Sequence, residues 1–433
     1  MNENDRMREL VDLLNKYAYQ YYVLDEPTVA DVQYDALYNE LLALEKSTGT
    51  VLPDSPTRKI GGDPIKEFTP HRHLKKLYSL DKCNSYDELR EWDEKIKKIA
   101  PDVTYTLEYK LDGLTLCLTY ENGYFKGAAT RGNGEVGEDV TAQVSTIKSI
   151  PLSVPHKGVF EAQGEGIMRL SALKKYNETA AEPLKNARNG VAGEIRNLDP
   201  KVTASRNLDI IFYNVNYVED ENILSQRANI DFLKRNSFKT DMLFVSSDIE
   251  EIIRKIDAVD RKSLDFLIDG MVIKVDDIAL RERLGYTDKF PRWAIAYKFE
   301  AEETTTILED VQWNVGRTGK LTPLAVLEPV ELCGATIRRA TLNNYGDILR
   351  KKVKIGSRVF IRRSNDVIPE ILGVSEDNGG KEIPLPTVCP ACGTALVEDG
   401  AHIYCPNESD CPADLRTSFP KTVWTLGGCQ RNR

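Results

Sequence analysis

The chain of 433 residues has no apolar run near the roughly 18 residues a membrane span needs. Its first residues, MNENDRMRELVDLL, lack the apolar centre of a secretory signal, and the expected location is therefore the cytoplasm. There are no internal repeats and no low-complexity segment. An excess of positive charge is also missing: the formal net charge is -9, which argues against a simple nucleic-acid-binding module. With 41% hydrophobic and 29% charged residues, the composition is that of a globular protein of two to four domains.

What is present is unevenly spread. Residues 1–68 read as helical: Leu10, Leu13, Leu14, Tyr17 and Tyr21 recur at helical spacing. A second helix is expected over about 32–45, with Tyr34, Leu37, Leu41, Leu42 and Leu44 on or near its inner face, followed by a polar linker, STGTVLPDSPTRKIGGDP. Residues 69–306 mix alternating strands, such as YTLEYKLDGLTLCLTYENGYFKGAAT with a turn at ENG, and helices near 86–98, 225–236 and 249–258. That is an α+β domain. Over 307–380, five short strands fit a small β-barrel of the oligonucleotide-binding (OB) kind, although spacing alone does not prove closure. Between 311 and 370 eleven Lys/Arg meet five acids. Such a face either tracks a phosphate backbone or is simply solvated.

Four of the eight cysteines, Cys389, Cys392, Cys405 and Cys411, fall within 23 residues as C-x2-C-x12-C-x5-C. Four thiolates at this spacing suit a closed tetrahedral Zn2+ site in a finger over 385–418. Residues 419–433 form an atypical tail.

The chemical centre is Glu108-Tyr109-Lys110-Leu111-Asp112-Gly113. A lysine attacks phosphorus only as a free amine. Nearby cations and partial burial favour that form, and Glu108 and Asp112 could orient the amine and relay its proton. Downstream come RGNG from Arg131, Gly164-Glu165, DGMVIK ending in Lys274 and WAIAYKF containing Lys298. These supply cations for phosphate, an acid for a ribose hydroxyl and an arginine for a phosphate.

This order resembles the nucleotidyltransferase superfamily of ligases and capping enzymes. The segments ATRGNGEVGEDVTAQVSTIKSIP, ARNGVAGEIRNLDP and LGYTDKFPRWAIAYKF, with YQYYVLDEPTVADVQYDALYNEL near the start, resemble bacterial NAD-dependent DNA ligase in particular, over about residues 5–418. The resemblance implies an N-terminal helical segment, an adenylation domain, an OB-fold and a zinc finger. It makes Lys110 the catalytic residue that carries AMP. Tyr21, Tyr22, Asp31, Tyr34 and Asp35 would contact the nicotinamide half of NAD, with helix packing the alternative for Tyr21 and Tyr34. Ser79, Leu80, Glu108, Asp112, Arg131, Glu165, Lys274 and Lys298 would surround the adenylate. Arg188 and Arg196 would meet DNA phosphate or serve as surface ion-pair residues, and Arg317 and Arg339 are further DNA candidates. Mg2+ or Mn2+ is implied by the reaction, without a dedicated protein cage.

The implied activity is sealing of nicks in duplex DNA during replication and repair, by a monomer associated with the nucleoid. The alternative is a degenerate or truncated paralogue that self-adenylates or binds NAD or DNA without efficient sealing. An ATP- or GTP-using capping-like transferase is the third reading, against which the N-terminal segment and the finger speak. The sequence departs from the family pattern at several points: Gln163 in place of an arginine before Gly164-Glu165, then Gly166; Lys82 for Asn; Asn343 for His; Ser364-Asn365 for Ala-Gly; and Glu300 for Pro. The tail SFPKTVWTLGGCQRNR resembles neither the helix-hairpin-helix nor the BRCT domain that follows the finger in the family.

Overall fold

The computed structural model describes residues 2–24, 26, 28–60, 67–180, 183–184, 186–299, 303–316, 318–332, 335–364, 368–407 and 411–413. They form two units, 1–299 and 300–433. Among the described residues, no helix is long and apolar enough to cross a membrane.

The first unit begins with two helices, Glu3–Tyr22 and Asp31–Thr48. Met7, Leu10, Val11 and Leu14 follow helical spacing and bury against Leu41. Each such side chain contributes about 1.5–3 kcal/mol by leaving water. Leu42, expected near this face, is instead 37% exposed. The segment read as a linker is structured over 47–60, and its residues 61–64 lie outside the described residues. Ser55 and Thr57 are buried and donate to the Glu45 carboxylate at 2.6 and 2.7 Å, and Arg8 grips Asp54 with two nitrogens at 2.9 and 2.8 Å. A 3-10 turn, Pro56–Ile60, continues from there.

The rest of this unit is built on two sheets. One is the five-stranded set 81–83, 294–298, 268–275, 105–111 and 244–246, in that spatial order. Its inner face buries Tyr105, Leu107, Met271, Ile273 and Val275. These pack with the helix Ile249–Asp257, whose Ile249, Ile252, Ile253 and Ile256 form one apolar stripe. That helix starts where Asp248 caps the Glu250 amide. The other sheet runs 124–130, 114–121, 160–167 and 209–218. Leu116, Leu118, Tyr120, Phe160 and Phe212 join the second core from it. The 114–121 and 124–130 strands meet in the expected ENG hairpin, with φ +54° at Asn122 and +82° at Gly123.

In the second unit, strands 303–315, 358–364, 368–376, 335–341 and 320–332 follow one another, and the first pairs back with the last. That return pairing closes a five-stranded barrel around Leu308, Ala325, Leu327, Val359, Ile361 and Ile371. The barrel's first strand begins at Glu303, earlier than the sequence pattern indicated. Two short strands, Val397–Asp399 and His402–Tyr404, extend the sheet beside Lys320–Leu321.

Candidate active site and zinc centre

Alternation along three neighbouring strands builds one wall of a cavity of about 1020 Å³. In register, Lys110 pairs with Gly270, and Gly270 pairs with Lys298. Glu108 pairs with Val272, and Val272 with Ala296. Because strand side chains alternate, Glu108, Lys110, Val272, Lys274, Ala296 and Lys298 share one face, and all six line the cavity. A Cβ on Gly270 would lie 2.0 Å from the Tyr297 carbonyl oxygen, so only glycine allows that central rung.

Asp269 does not fit this alternation, yet it lines the same cavity. The register slips between Ile268 and Gly270, and this bulge turns the extra residue toward its neighbours. Lys110 Nζ lies 2.9 and 3.0 Å from the two Asp269 oxygens, and Lys298 Nζ lies 3.5 Å from one of them. Sequence reasoning placed Glu108 beside Lys110. The structure pairs Glu108 with Lys274 instead, at 2.6 Å between side chains 6% and 9% exposed. Burial pulls the Lys274 pKa down, while Glu108 works against that shift.

The facing sheet supplies the opposite wall. Glu165 accepts hydrogen bonds from Thr115 at 3.1 Å and from Tyr213 at 3.4 Å. Burial pushes its carboxyl up to about 7, against the pull of Thr115, Lys110 and Arg131. Gln163, before Gly164-Glu165, donates to the Tyr213 hydroxyl and accepts from Asn214, both at 3.3 Å, in a neutral hydrogen-bonded chain. Ser79, Leu80 and Arg131 also line the cavity. So do Tyr78 and Tyr286, stacked with centroids 4.6 Å apart, and Trp293; Tyr286 and Trp293 lie in motifs quoted from the sequence but without a role assigned, and Tyr78 was not singled out. Arg281, buried beneath Trp293 at 4.3 Å from ring to guanidinium, is lowered by burial to about 10.

Of the arginines expected to meet DNA, Arg188 pairs with Asp112 at 2.8 Å and Arg196 with Glu138 at 2.6 Å, all four on the cavity lining. Both thus have ion-pair partners. Arg339 is exposed on the Ala335–Thr341 strand, and Arg317 lies outside the described residues.

Tyr21, Tyr22, Tyr34 and Asp35 are not among the described residues that line this cavity. Tyr21 is 47% exposed, which removes core packing as its explanation, and its ring meets Tyr22 edge-on at 4.8 Å. Tyr34 is half-buried, stacks on Tyr38 and joins the helical core; burial and its neighbours raise its hydroxyl to about 12. Asp35 is exposed, and Asp31 opens the second helix with its side chain outside the described residues. The carbonyl of Tyr22 accepts from Lys239 at 2.6 Å, and Lys148 lies over its ring.

In the second unit the four cysteine sulfurs converge within 4.8 Å of one another. Cys389 and Cys411 are 3.9 Å apart and Cys392 and Cys405 3.5 Å, too far for disulfides. Four ligands at about 2.3 Å around a tetrahedral zinc are spaced about 3.8 Å, so the donor set fits that ion. The Cys405 amide donates to the Gly319 carbonyl at 2.8 Å, which fixes the finger to the barrel.

Residues 65–302 match the NAD-dependent DNA ligase adenylation domain. The chain belongs to the NAD-dependent DNA ligase family. Residues 305–382 match this family's OB-fold domain, 388–413 its C4 zinc finger domain, and 1–61 the DNA ligase-like, N-terminal NAD+-binding domain. Among curated relatives, a DNA ligase of Alkaliphilus oremlandii is 55% identical over 96% of this chain and 64% of its own length. A DNA ligase of Finegoldia magna is 52% identical over 96% of the chain and 65% of its own length. DNA ligase 2 of Clostridium acetobutylicum is 51% identical over 97% and 66%. The chain therefore spans just under two thirds of the length of these relatives.

Proposed function

We propose that this chain acts as an NAD-dependent DNA ligase, with Lys110 as its nucleophile. The observation that carries the reading is the cavity rung on which Lys110 and Lys298 share Asp269, beside the Lys274–Glu108 pair, in a chain of this family. The Lys110 amine attacks the adenylate phosphorus of NAD, a P–N bond forms, and nicotinamide mononucleotide leaves with the electrons of the broken P–O bond. Asp269 orients the amine and accepts its proton, while Lys298 and Lys274 face the charge on phosphate. Glu165 offers an acceptor to a ribose hydroxyl; Ser79, Leu80 and Arg131 complete the adenylate contacts. AMP then passes to the 5′-phosphate of a nicked duplex, and attack by the 3′-hydroxyl seals the break and releases AMP.

Tyr21, Tyr22, Asp31, Tyr34 and Asp35 are proposed to hold the nicotinamide half. Since those with described side chains lie away from the lining of the Lys110 cavity, the N-terminal helices must move to deliver it. Magnesium or manganese would neutralise phosphate charge. Glu108, Asp112 and Asp269 are each engaged by a cation, so the donor set fits an ion shared with substrate phosphates rather than a protein cage. Contacts to DNA from Arg339, Arg188, Arg196 and Arg317 would be to backbone, since a ligase must accept any sequence. The protein is expected to work as a cytoplasmic monomer associated with the nucleoid, in replication and repair.

The test is incubation with NAD labelled in the adenylate, followed by denaturing electrophoresis and then a nick-joining assay. Labelled protein is expected from NAD and not from ATP, with Lys110→Ala lowered by on the order of 10³-fold or more. No adenylate from NAD would overturn the reading. Adenylate without joining would favour the non-sealing alternative.

A further inference from the structure

Away from the cysteine finger, the first unit gathers two histidines and a glutamate. His71 lies on the Pro70–Arg72 strand, which pairs with Val136–Glu138, and His73 follows directly. Glu161 lies on the 160–167 strand. The His73 and Glu161 side chains are both fully buried, at 0% exposure.

The hydrogen bonds fix the chemistry of each partner. His73 Nε2 lies 3.1 Å from the Thr130 carbonyl oxygen and 3.2 Å from that of Arg131. Carbonyls only accept, so Nε2 carries a proton, and Nδ1 presents a lone pair whenever the ring is neutral. Nδ1 has no hydrogen-bond partner and faces Glu161 Oε2 at 3.8 Å, beyond hydrogen-bond reach. Glu161 is itself held as an acceptor: Asn216 donates to its Oε1 at 2.6 Å and the Leu74 amide to its Oε2 at 3.3 Å.

A buried lone pair and a buried carboxylate that point at one another repel unless positive charge lies between them. A proton is one solution. Burial opposes it, Glu161 and the two carbonyls favour it, and the His73 pKa is raised on balance. A shared proton, however, would draw the two atoms to about 2.8 Å. The observed gap is wider than that and lies below the about 4.2 Å that two ligands each about 2.0–2.1 Å from one zinc can span. A His71 ring nitrogen falls within 4.8 Å of both other donor atoms, so a small turn of that less buried ring brings the third donor onto the same ion. His71 is only partly buried, which leaves a position open to water. A carbonyl on the far nitrogen is also how metal-bound imidazoles are usually oriented.

We propose that His71, His73 and Glu161 form a second metal site in this chain, which takes a zinc-like divalent transition metal through two imidazoles and one carboxylate. Nitrogen donors select this class over magnesium or calcium. Thr130 and Arg131, whose carbonyls hold His73, both line the Lys110 cavity, so the ion ties down the base of the Arg131 turn.

Equilibrium dialysis of the chelator-stripped full chain against Zn2+, at neutral pH with a thiol-free reductant, counts the ions. Two equivalents are expected for the wild type and one for His71→Ala, whose fold is checked by circular dichroism; His71 is the least buried of the three, which makes this substitution the mildest. A thermal upshift from the second equivalent is expected in the wild type and not in the variant. A wild type that stops at one equivalent, or a His71→Ala chain that keeps the second, overturns the proposal.

Discussion

The cations of the Lys110 cavity and those of the barrel surface differ in what holds them. In the cavity, Lys274 and Glu108 are less than a tenth exposed and pair at 2.6 Å, while Lys110 and Lys298 meet a carboxylate that is 8% exposed. On the barrel, Arg362–Glu370 and Arg358–Glu376 pair through arginines exposed by 43% and 37%. Arg338 and Arg339 are exposed with no carboxylate partner among the described residues. A buried pair is costly to break because the survivor stays desolvated; an exposed pair is bathed in water and salt whether intact or not. Position rather than number therefore sets what each charge contributes.

The sharpest way to break this comparison is Glu108→Gln, which strands Lys274 in the cavity wall. It is expected to destabilise the first unit by about 3 kcal/mol, read by calorimetry of the full chain. A loss under about 1 kcal/mol would mean that the cavity behaves like surface. Next in size is the paired change Arg338→Ala with Arg339→Ala. Duplex affinity should fall, and the slope of log affinity against log salt should flatten by about 1–2, at about 0.9 per phosphate contact, while adenylate formation is unchanged. An unaltered slope would remove these arginines from the DNA surface.

A smaller effect is expected from Glu165, whose carboxyl is raised by burial from 4.5 to about 7. Between these values the folded state binds more proton than the unfolded one, so this group subtracts stability as pH rises, by an amount that is nil below 4.5 and complete above about 7. Glu165→Gln should melt higher than the wild type at pH 8 by on the order of a few degrees, and the advantage should vanish near pH 4.5. A pH-independent difference would refute the assignment. Arg362→Ala closes the series at less than about 1 kcal/mol.

The same contrast explains what the sequence could reveal. Glu108, Lys110, Lys274 and Lys298 were legible from their ordered motifs and the family resemblance, and strand alternation is what brings them to one face. Asp269 lay in a quoted motif, but its role was hidden, since a bulge reverses the direction expected from alternation. The helix Leu170–Thr179 was missed although Leu170, Ala172 and Leu173 pack against the core, because ten residues with none fully buried give only a short apolar stripe. The supposed linker was missed for a related reason: Glu45, Ser55 and Thr57 form a polar knot, invisible to a search for apolar spacing. The basic count over the barrel misled in part, because Glu376, Asp377 and Glu382, which pair with Arg358 and Lys354, lie outside the window counted.

The Asp269 bulge has a further consequence, in the arithmetic of charge. Two ammonium groups around one carboxylate leave a surplus of one positive charge on that rung. Should Lys110 become a phosphoramidate, its nitrogen would cease to be a cation, and Lys298 would remain to balance Asp269 alone. The acid would never be left orphaned in the cavity wall. The site would thus be electrically tolerant of its own modification, with a resident counterion in reserve for the half of the cycle in which the nucleophile is occupied.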